Sequence, residues 1–327
     1  MKKFFFLLFT VSFVTTAAQE RTTGPVKLYN ESYKTECEGF LLEFYDENLV
    51  TADSLISRIL GNDIQSYSQV YLQATTGQDA SAGMYKGGKA AGINLESGII
   101  LSSGFIKNVP GPNEYTGATG VLNLPGDEDL ESLIPGYETF DATILEFSFI
   151  PVHDTLFISF VFGSDEYNEW VGSPYNDVFG FFLNGENIAL VPETNDRISV
   201  NSINNFNNYN FFIDNDEQPG PFCTEMDGFT TLLTAMGVVL PGESNHIKLA
   251  IADAGDRSFD SWVFIGTGGF TGIDPGEPDE PTEPDEPTEP DEPGDDDPVP
   301  LPLKNWPVFL VMIMILVFTF IKIRKSA

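Results

Sequence analysis

The 327-residue chain has two histidines and two cysteines, and its 16 lysines and arginines stand against 49 aspartates and glutamates. So little nitrogen and sulfur is too few ligands for a zinc centre, which draws mainly on those side chains. His153 and His246 could in principle serve a Ser-His-Asp triad, but no Gly-x-Ser-x-Gly elbow accompanies them. His153 follows Pro151-Val152 in an expected turn and His246 opens an expected strand, so both read as structural. A formal charge of −33 excludes nucleic acid and acidic lipid as partners, because both repel an anionic surface. Long apolar runs occur only near the two ends.

Those ends read as export and tether. Lys2 and Lys3 precede the apolar stretch Phe4 to Val14, and Thr16-Ala17-Ala18 offers small residues for cleavage, so residues 1–18 are expected to be a signal peptide. Trp306 to Ile323 is almost wholly apolar and about long enough for one transmembrane helix, and the basic residues at its end, Lys322, Arg324 and Lys325, favour a cytoplasmic C-terminus. Residues 301–327 thus form a membrane anchor or a sorting tail. Between tether and domain, residues 274–300 repeat Glu-Pro-Asp-Glu-Pro-Thr from Glu277, Glu283 and Glu289, with no apolar side chain besides proline until Val299. Such a segment cannot bury a core and reads as a disordered, extended stalk reaching roughly 80 Å.

Residues 19–273 remain for one large ectodomain. Setting aside the stalk's thirteen acids and the six bases of the two ends leaves it 36 acidic against 10 basic residues. Carboxylates and amides at that density suit a hard divalent cation, calcium being the expected cofactor. The lone cysteines of an exported chain, Cys37 and Cys223, are expected to pair.

Short aromatic and β-branched runs bounded by turn residues recur through the ectodomain: Ile99–Leu101, Ala142–Phe149, Thr155–Phe162, Asp177–Leu183, Ile188–Val191, His246–Ile251 and Trp262–Phe270. Leu145, Phe147 and Phe149 alternate with Ile144, Glu146 and Ser148, the period of a strand. The expected class is mainly β, a sandwich or jelly roll. Helices are few: Thr51–Leu60 with Thr51 as N-cap and Gly61 at the stop, Asp227–Gly237, and a short turn at Asp127–Leu133.

Two acidic clusters lie where strands meet loops. The first holds Asp165, Glu166, Asn168 and Glu169 after one strand, with Asn176 and Asp177 opening the next. The second holds Asp253, Asp256 and Asp260 between two strands. Asp165, Glu166, Asn176, Asp177, Asp253, Asp256 and Asp260 are therefore the predicted calcium ligands, the alternative being carboxylates that cap turns. Asp165, Glu166 and Glu169 could instead supply a glycosidase pair. Phe206, Tyr209, Phe211 and Phe212 in the Asn-rich stretch 201–215 could offer platforms for a sugar, or pack inward.

The ordered blocks Gly98-Ile-Ile-Leu-Ser-Ser-Gly104, Gly111-Pro-Asn113, Phe162-Gly-Ser-Asp-Glu-Tyr167, Asn176-Asp-Val-Phe-Gly-Phe-Phe182, Asn187-Ile-Ala-Leu-Val-Pro192, Asp227-Gly-Phe-Thr-Thr231 and Ile247–Asp256 resemble the choice-of-anchor L domain. The resemblance spans roughly residues 40 to 270 and implies a bacterial surface protein, with no catalytic residue to carry over. The segment Pro300–Trp306, the apolar stretch and the basic end resemble a sorting tail of the PEP-CTERM kind, without its Pro-Glu-Pro start. That resemblance implies a membrane transpeptidase as a processing partner. The expected function is a non-catalytic binding or adhesion module, stabilised by calcium, for an unidentified surface protein or glycan.

Overall fold

A computed structural model describes residues 37, 39–46 and 48–272. The signal peptide, stalk and anchor expected at 1–18, 274–300 and 301–327 lie outside them. Among the described residues no helix is long and apolar enough to cross a membrane. In chain order the elements are β1 (Leu41–Phe44), α1 (Ala52–Ile59), β2 (Ile64–Gln73), β3 (Ala82–Lys86), β4 (Ser97–Ser102) and α2 (Glu128–Leu133). There follow β5 (Thr139–Pro151), β6 (Thr155–Ser164), β7 (Val178–Leu183), β8 (Glu186–Asn187), β9 (Ile198–Ser199) and β10 (Phe212–Asp214). The last are β11 (Gly228–Thr230), β12 (Leu233–Val238), β13 (Asn245–Ala254) and β14 (Ser261–Thr271).

The strands form two sheets, antiparallel throughout. One runs β1-β3-β4-β14-β6-β11-β10, with β12 also beside β6; the other runs β2-β5-β13-β7-β8, with β9 beside β7. They pack face to face. Leu156, Ile158, Phe160 and Phe162 of β6 share one core with Leu145, Phe147 and Phe149 of β5 and Ile247, Leu249 and Ile251 of β13. Phe160 bridges the layers, its ring 5.4 Å from Phe179 and 5.3 Å from Phe181.

Each sheet also buries part of its outer face. Ile100, Val161, Trp262 and Phe264 turn away from the shared core into a second cluster with Ile106, Val109 and Phe229. A strand covered on both sides gains nothing from polar alternation, which is why β4, β6 and β14 read as nearly continuous apolar runs. On the other sheet, Ile144, Val178 and Ala250 pack against Leu130 and Ile134 in and after α2. The expected opposition of Leu145 and Ile144 is thus real, with both faces used.

The predicted Thr51 cap is present, and Asp127 caps the short helix at the expected turn as well. The Thr51 side chain accepts from the Ser54 amide at 3.3 Å, and Asp127 accepts from the Leu130 amide at 3.1 Å. Two predicted elements differ. Asp227–Gly237, expected as a helix, forms β11 and β12 instead. Its threonines favour strand, and Leu233 to Val238 alternate buried and exposed with period two. Ile188–Val191, expected as a strand, gives only an isolated bridge, Leu190 with Arg197, beyond the two-residue β8.

Cys37 and Cys223 form the expected disulfide, closing 186 positions with a Cα separation of 5.1 Å. Loop entropy of that length restricts the unfolded chain by about 5 kcal/mol.

Candidate cation centre

Antiparallel pairing puts the end of one strand beside the start of its neighbour. Ser164 at the end of β6 faces Ser261 at the start of β14, and Ala252 near the end of β13 faces Val178 at the start of β7. Asp165, Asp177, Asp253 and Asp260 are therefore delivered to one end of the sandwich. A register shift between Ile251 and Asp253 re-aims Asp253 within β13.

All four are buried. Asp177 accepts from the Ala254 amide at 3.0 Å and the Ser261 hydroxyl at 2.7 Å. Asp260 accepts from the Gly120 amide at 3.0 Å, and its Oδ2 meets no donor at hydrogen-bonding geometry, although the nearby Phe105 amide eases its charge. Neither oxygen of Asp253 meets one at hydrogen-bonding geometry, although the nearby Ser103 side chain eases its charge. Burial pushes the Asp253 and Asp260 carboxyls well above the usual range, and their proximity to Asp177 and Asp141 pushes them further. Asp141 is different, because Arg257 pairs with it and the Leu122 and Leu124 amides donate to it. The backbone presses close here: a Cβ on Gly104 would stand 1.7 Å from Asp260 Oδ2.

The other predicted ligands are used structurally. Asn176 accepts from the Asn201 amide at 2.8 Å, and Glu166 accepts a long bond from the Asp177 amide at 3.4 Å. Asp256 is only half-buried and caps its own turn through the Ser258 amide at 2.9 Å. Asp165 and Glu166, two of the carboxylates weighed for glycoside hydrolysis, are completely buried. Of the four aromatics weighed for sugar binding, Phe206 and Tyr209 are exposed, while Phe211 and Phe212 pack against the main core. His246 lies 2.8 Å from Glu146 and His153 3.5 Å from Asp63, both on the surface.

Asp165 links this end of the sandwich to a second group. Its Oδ2 accepts from the Ala118 amide, and its Oδ1 is buried without a partner. Burial pushes its carboxyl up, and Asp227 is its strongest charged neighbour, ahead of Glu225 and Asp260. Among the described residues, one set of three carboxylates has oxygens all within 4.8 Å of one another: Glu169, Asp216 and Asp227. Glu169 follows β6, Asp216 follows β10, and Asp227 immediately precedes β11. Burial raises Asp227 to about 9, with Asp216, Glu169 and Glu225 adding to the rise against a hydrogen bond from Asn113. Burial likewise raises Glu225 to about 8. Glu169 is exposed as a residue, yet its carboxyl oxygen sits at this group and desolvation lifts it too.

Asp216 and Asp227 are not among the predicted ligands: the first lies just past the Asn-rich stretch 201–215, and the second opens a segment whose sequence reads as a helix. The usable signal was Asp214-Asn-Asp-Glu217, an acidic run opposite Asp165–Glu169 once β10, β11 and β6 pair.

The family model of the choice-of-anchor L domain matches residues 44–271, more than half of the chain. No curated protein and no solved structure matches the chain.

Proposed function

The chain belongs to the choice-of-anchor L domain family, and from that premise we propose that it is an exported, surface-tethered binding or adhesion module, non-catalytic and stabilised by calcium. Choice-of-anchor domains are carried by surface-associated proteins, which supports the location. The tether rests on the sequence of 301–327, either a retained span with a cytoplasmic C-terminus or a tail removed by a sorting transpeptidase.

One observation carries the calcium part. Asp165, Asp177, Asp227, Asp253 and Asp260 are almost completely buried, and four of them keep an oxygen with no hydrogen-bond partner. Among the described residues no lysine or arginine pairs with any of those four, Asp165, Asp227, Asp253 and Asp260. An uncompensated buried carboxylate is costly, so the acidic end needs protons or a cation to be neutral. At neutral pH and extracellular calcium levels a cation with oxygen preference answers that need. Thermal melting of the purified full-length chain in calcium and in chelator tests the reading, and coincident curves sink it.

A second reading, carbohydrate binding, has its own support. Phe206 and Tyr209 are 75% and 66% exposed and line a cleft of about 800 Å³ with Asn207, Asn208, Asn210 and Asp196. Rings beside amide and carboxylate groups suit a sugar's apolar face and hydroxyls. Glycan-array screening separates the readings: a consistent hit lost in Phe206→Ala and Tyr209→Ala supports the lectin, and silence leaves a protein partner.

A further inference from the structure

Three segments meet at the second carboxylate group: the loop after β6, the β10–β11 connection and the stretch around Asn113. Asp227 is completely buried, and its Oδ2 has no partner. The Asn113 side chain, also completely buried, donates to Asp227 Oδ1 at 2.5 Å and to the Asn215 carbonyl at 3.0 Å, leaving its own Oδ1 unpartnered. Asn168 donates to Asp216 at 3.4 Å and Asp214 at 3.2 Å, and its buried Oδ1 is likewise without a partner. Asp165 Oδ1 is a third such oxygen beside Asp227. A cluster of surface acids needs no ion. Here, completely buried side chains with unsatisfied oxygens adjoin a carboxylate triad already within coordination spacing.

We propose that Glu169, Asp216 and Asp227, completed by Asp165, Asn113 and Asn168, form a calcium site that clasps the β6–β7 loop to the β10–β11 connection. This inference rests on the calcium reading above and names where the cation sits. Calcium takes six to eight oxygens at roughly 2.3–2.6 Å, so oxygens on one ion stand no more than about 5 Å apart, the spacing the triad has. Half a turn of the Asn168 amide exchanges its nitrogen for its oxygen, giving up the hydrogen bonds to Asp214 and Asp216 and supplying a further ligand. The mixture of carboxylate and neutral amide oxygens favours calcium over zinc, and ligands from separate segments favour it over magnesium, which demands a tight octahedron.

The clasp has a structural consequence. The connection it holds is already tied by Asn215, whose amide group donates to the Thr224 and Met226 carbonyls at 3.0 and 2.8 Å. It is tied again by the Cys223 disulfide to Cys37. Calcium adds a link from this stapled connection to the loop after β6, and so to the buried Asp165.

Calorimetric titration of the chelator-treated full-length chain with CaCl2 provides the test, using Asp216→Asn and Glu169→Gln. Glu169 is exposed as a residue and Asp216 only half-buried, so both variants should fold, and Glu193→Gln serves as an exposed acidic control. The expected result is saturable binding by the wild type and control, weakened about tenfold or more in each variant. Wild-type affinity retained by both variants would overturn the site while leaving the calcium reading intact. An equal response to MgCl2 would overturn the choice of calcium. No binding to the wild type would overturn the site and the calcium reading together.

Discussion

Glu225 and Asp227 lie two residues apart and would both be negative at neutral pH in the unfolded chain. Glu225 accepts from the Glu114 and Tyr115 amides, with Glu114 the charge facing it; Asp227 faces Asn113, Asp216 and Glu169. Folding raises Glu225 from 4.5 to about 8 and Asp227 from 3.8 to about 9, chiefly by burial. Between those limits the folded state holds more protons than the unfolded one. The stability they contribute is therefore fully present below about pH 4 and is lost as pH climbs through about 8 and then 9. Asp165, Asp253 and Asp260, also raised by burial, act in the same sense. In chelator, the melting temperature should fall steadily from pH 5 to pH 9. Calcium should flatten that fall, because the cation takes the place of the departing protons. A melting temperature that rises with pH in chelator would contradict the burial argument.

Residue type alone shows an acidic end but not every carboxylate that gathers there. Asp165, Asp177, Asp253 and Asp260 were legible because they sit at strand ends, and antiparallel pairing gathers strand ends. Asp216 and Asn113 were not, because nothing local says that Asn113 meets Asn215 and that both Asn113 and Asp216 lie beside Asp227. Asp256 looked equal to Asp253 in sequence, yet a bulge points one inward and a turn uses the other as its cap.

At the scale of elements, the load falls on rings that cross between sheets. Phe160 on β6 touches Phe179 and Phe181 of β7 and has no exposed surface. Phe160→Ala should cost about 3–5 kcal/mol, read as a lower denaturant midpoint with unchanged slope. A loss under about 1 kcal/mol would mean that the sheets do not interlock as described. Periodicity found most of these strands, since Leu145, Phe147 and Phe149 announce a face. It failed at Asp227–Gly237, where Leu232, Leu233 and Met236 are also spaced for a helix, and only pairing of β12 with β6 decides for strand. Ile188–Val191 failed for the opposite reason. Its apolar side chains are buried or half-buried, but the chain turns after Asn187 and the ladder stops.

For the whole molecule, the sandwich carries its acidity inward as well as outward. An acidic surface is solvated and weakly consequential, whereas buried carboxylates bear on the balance between folded and unfolded states. Net charge was plain from composition, but its inward share depends on the fold. A cation bound at one hundred times its dissociation constant adds about 2.7 kcal/mol. For a domain of this size that corresponds to a shift of about 5–10 °C.

The most direct measurement is thermal melting of the full-length chain at pH 7.5, in saturating CaCl2 and in EGTA. Calcium stabilisation predicts a midpoint about 5–10 °C higher with calcium, reversed when excess chelator is added. Superimposable curves would contradict it, and the buried carboxylates would then be held by protons alone.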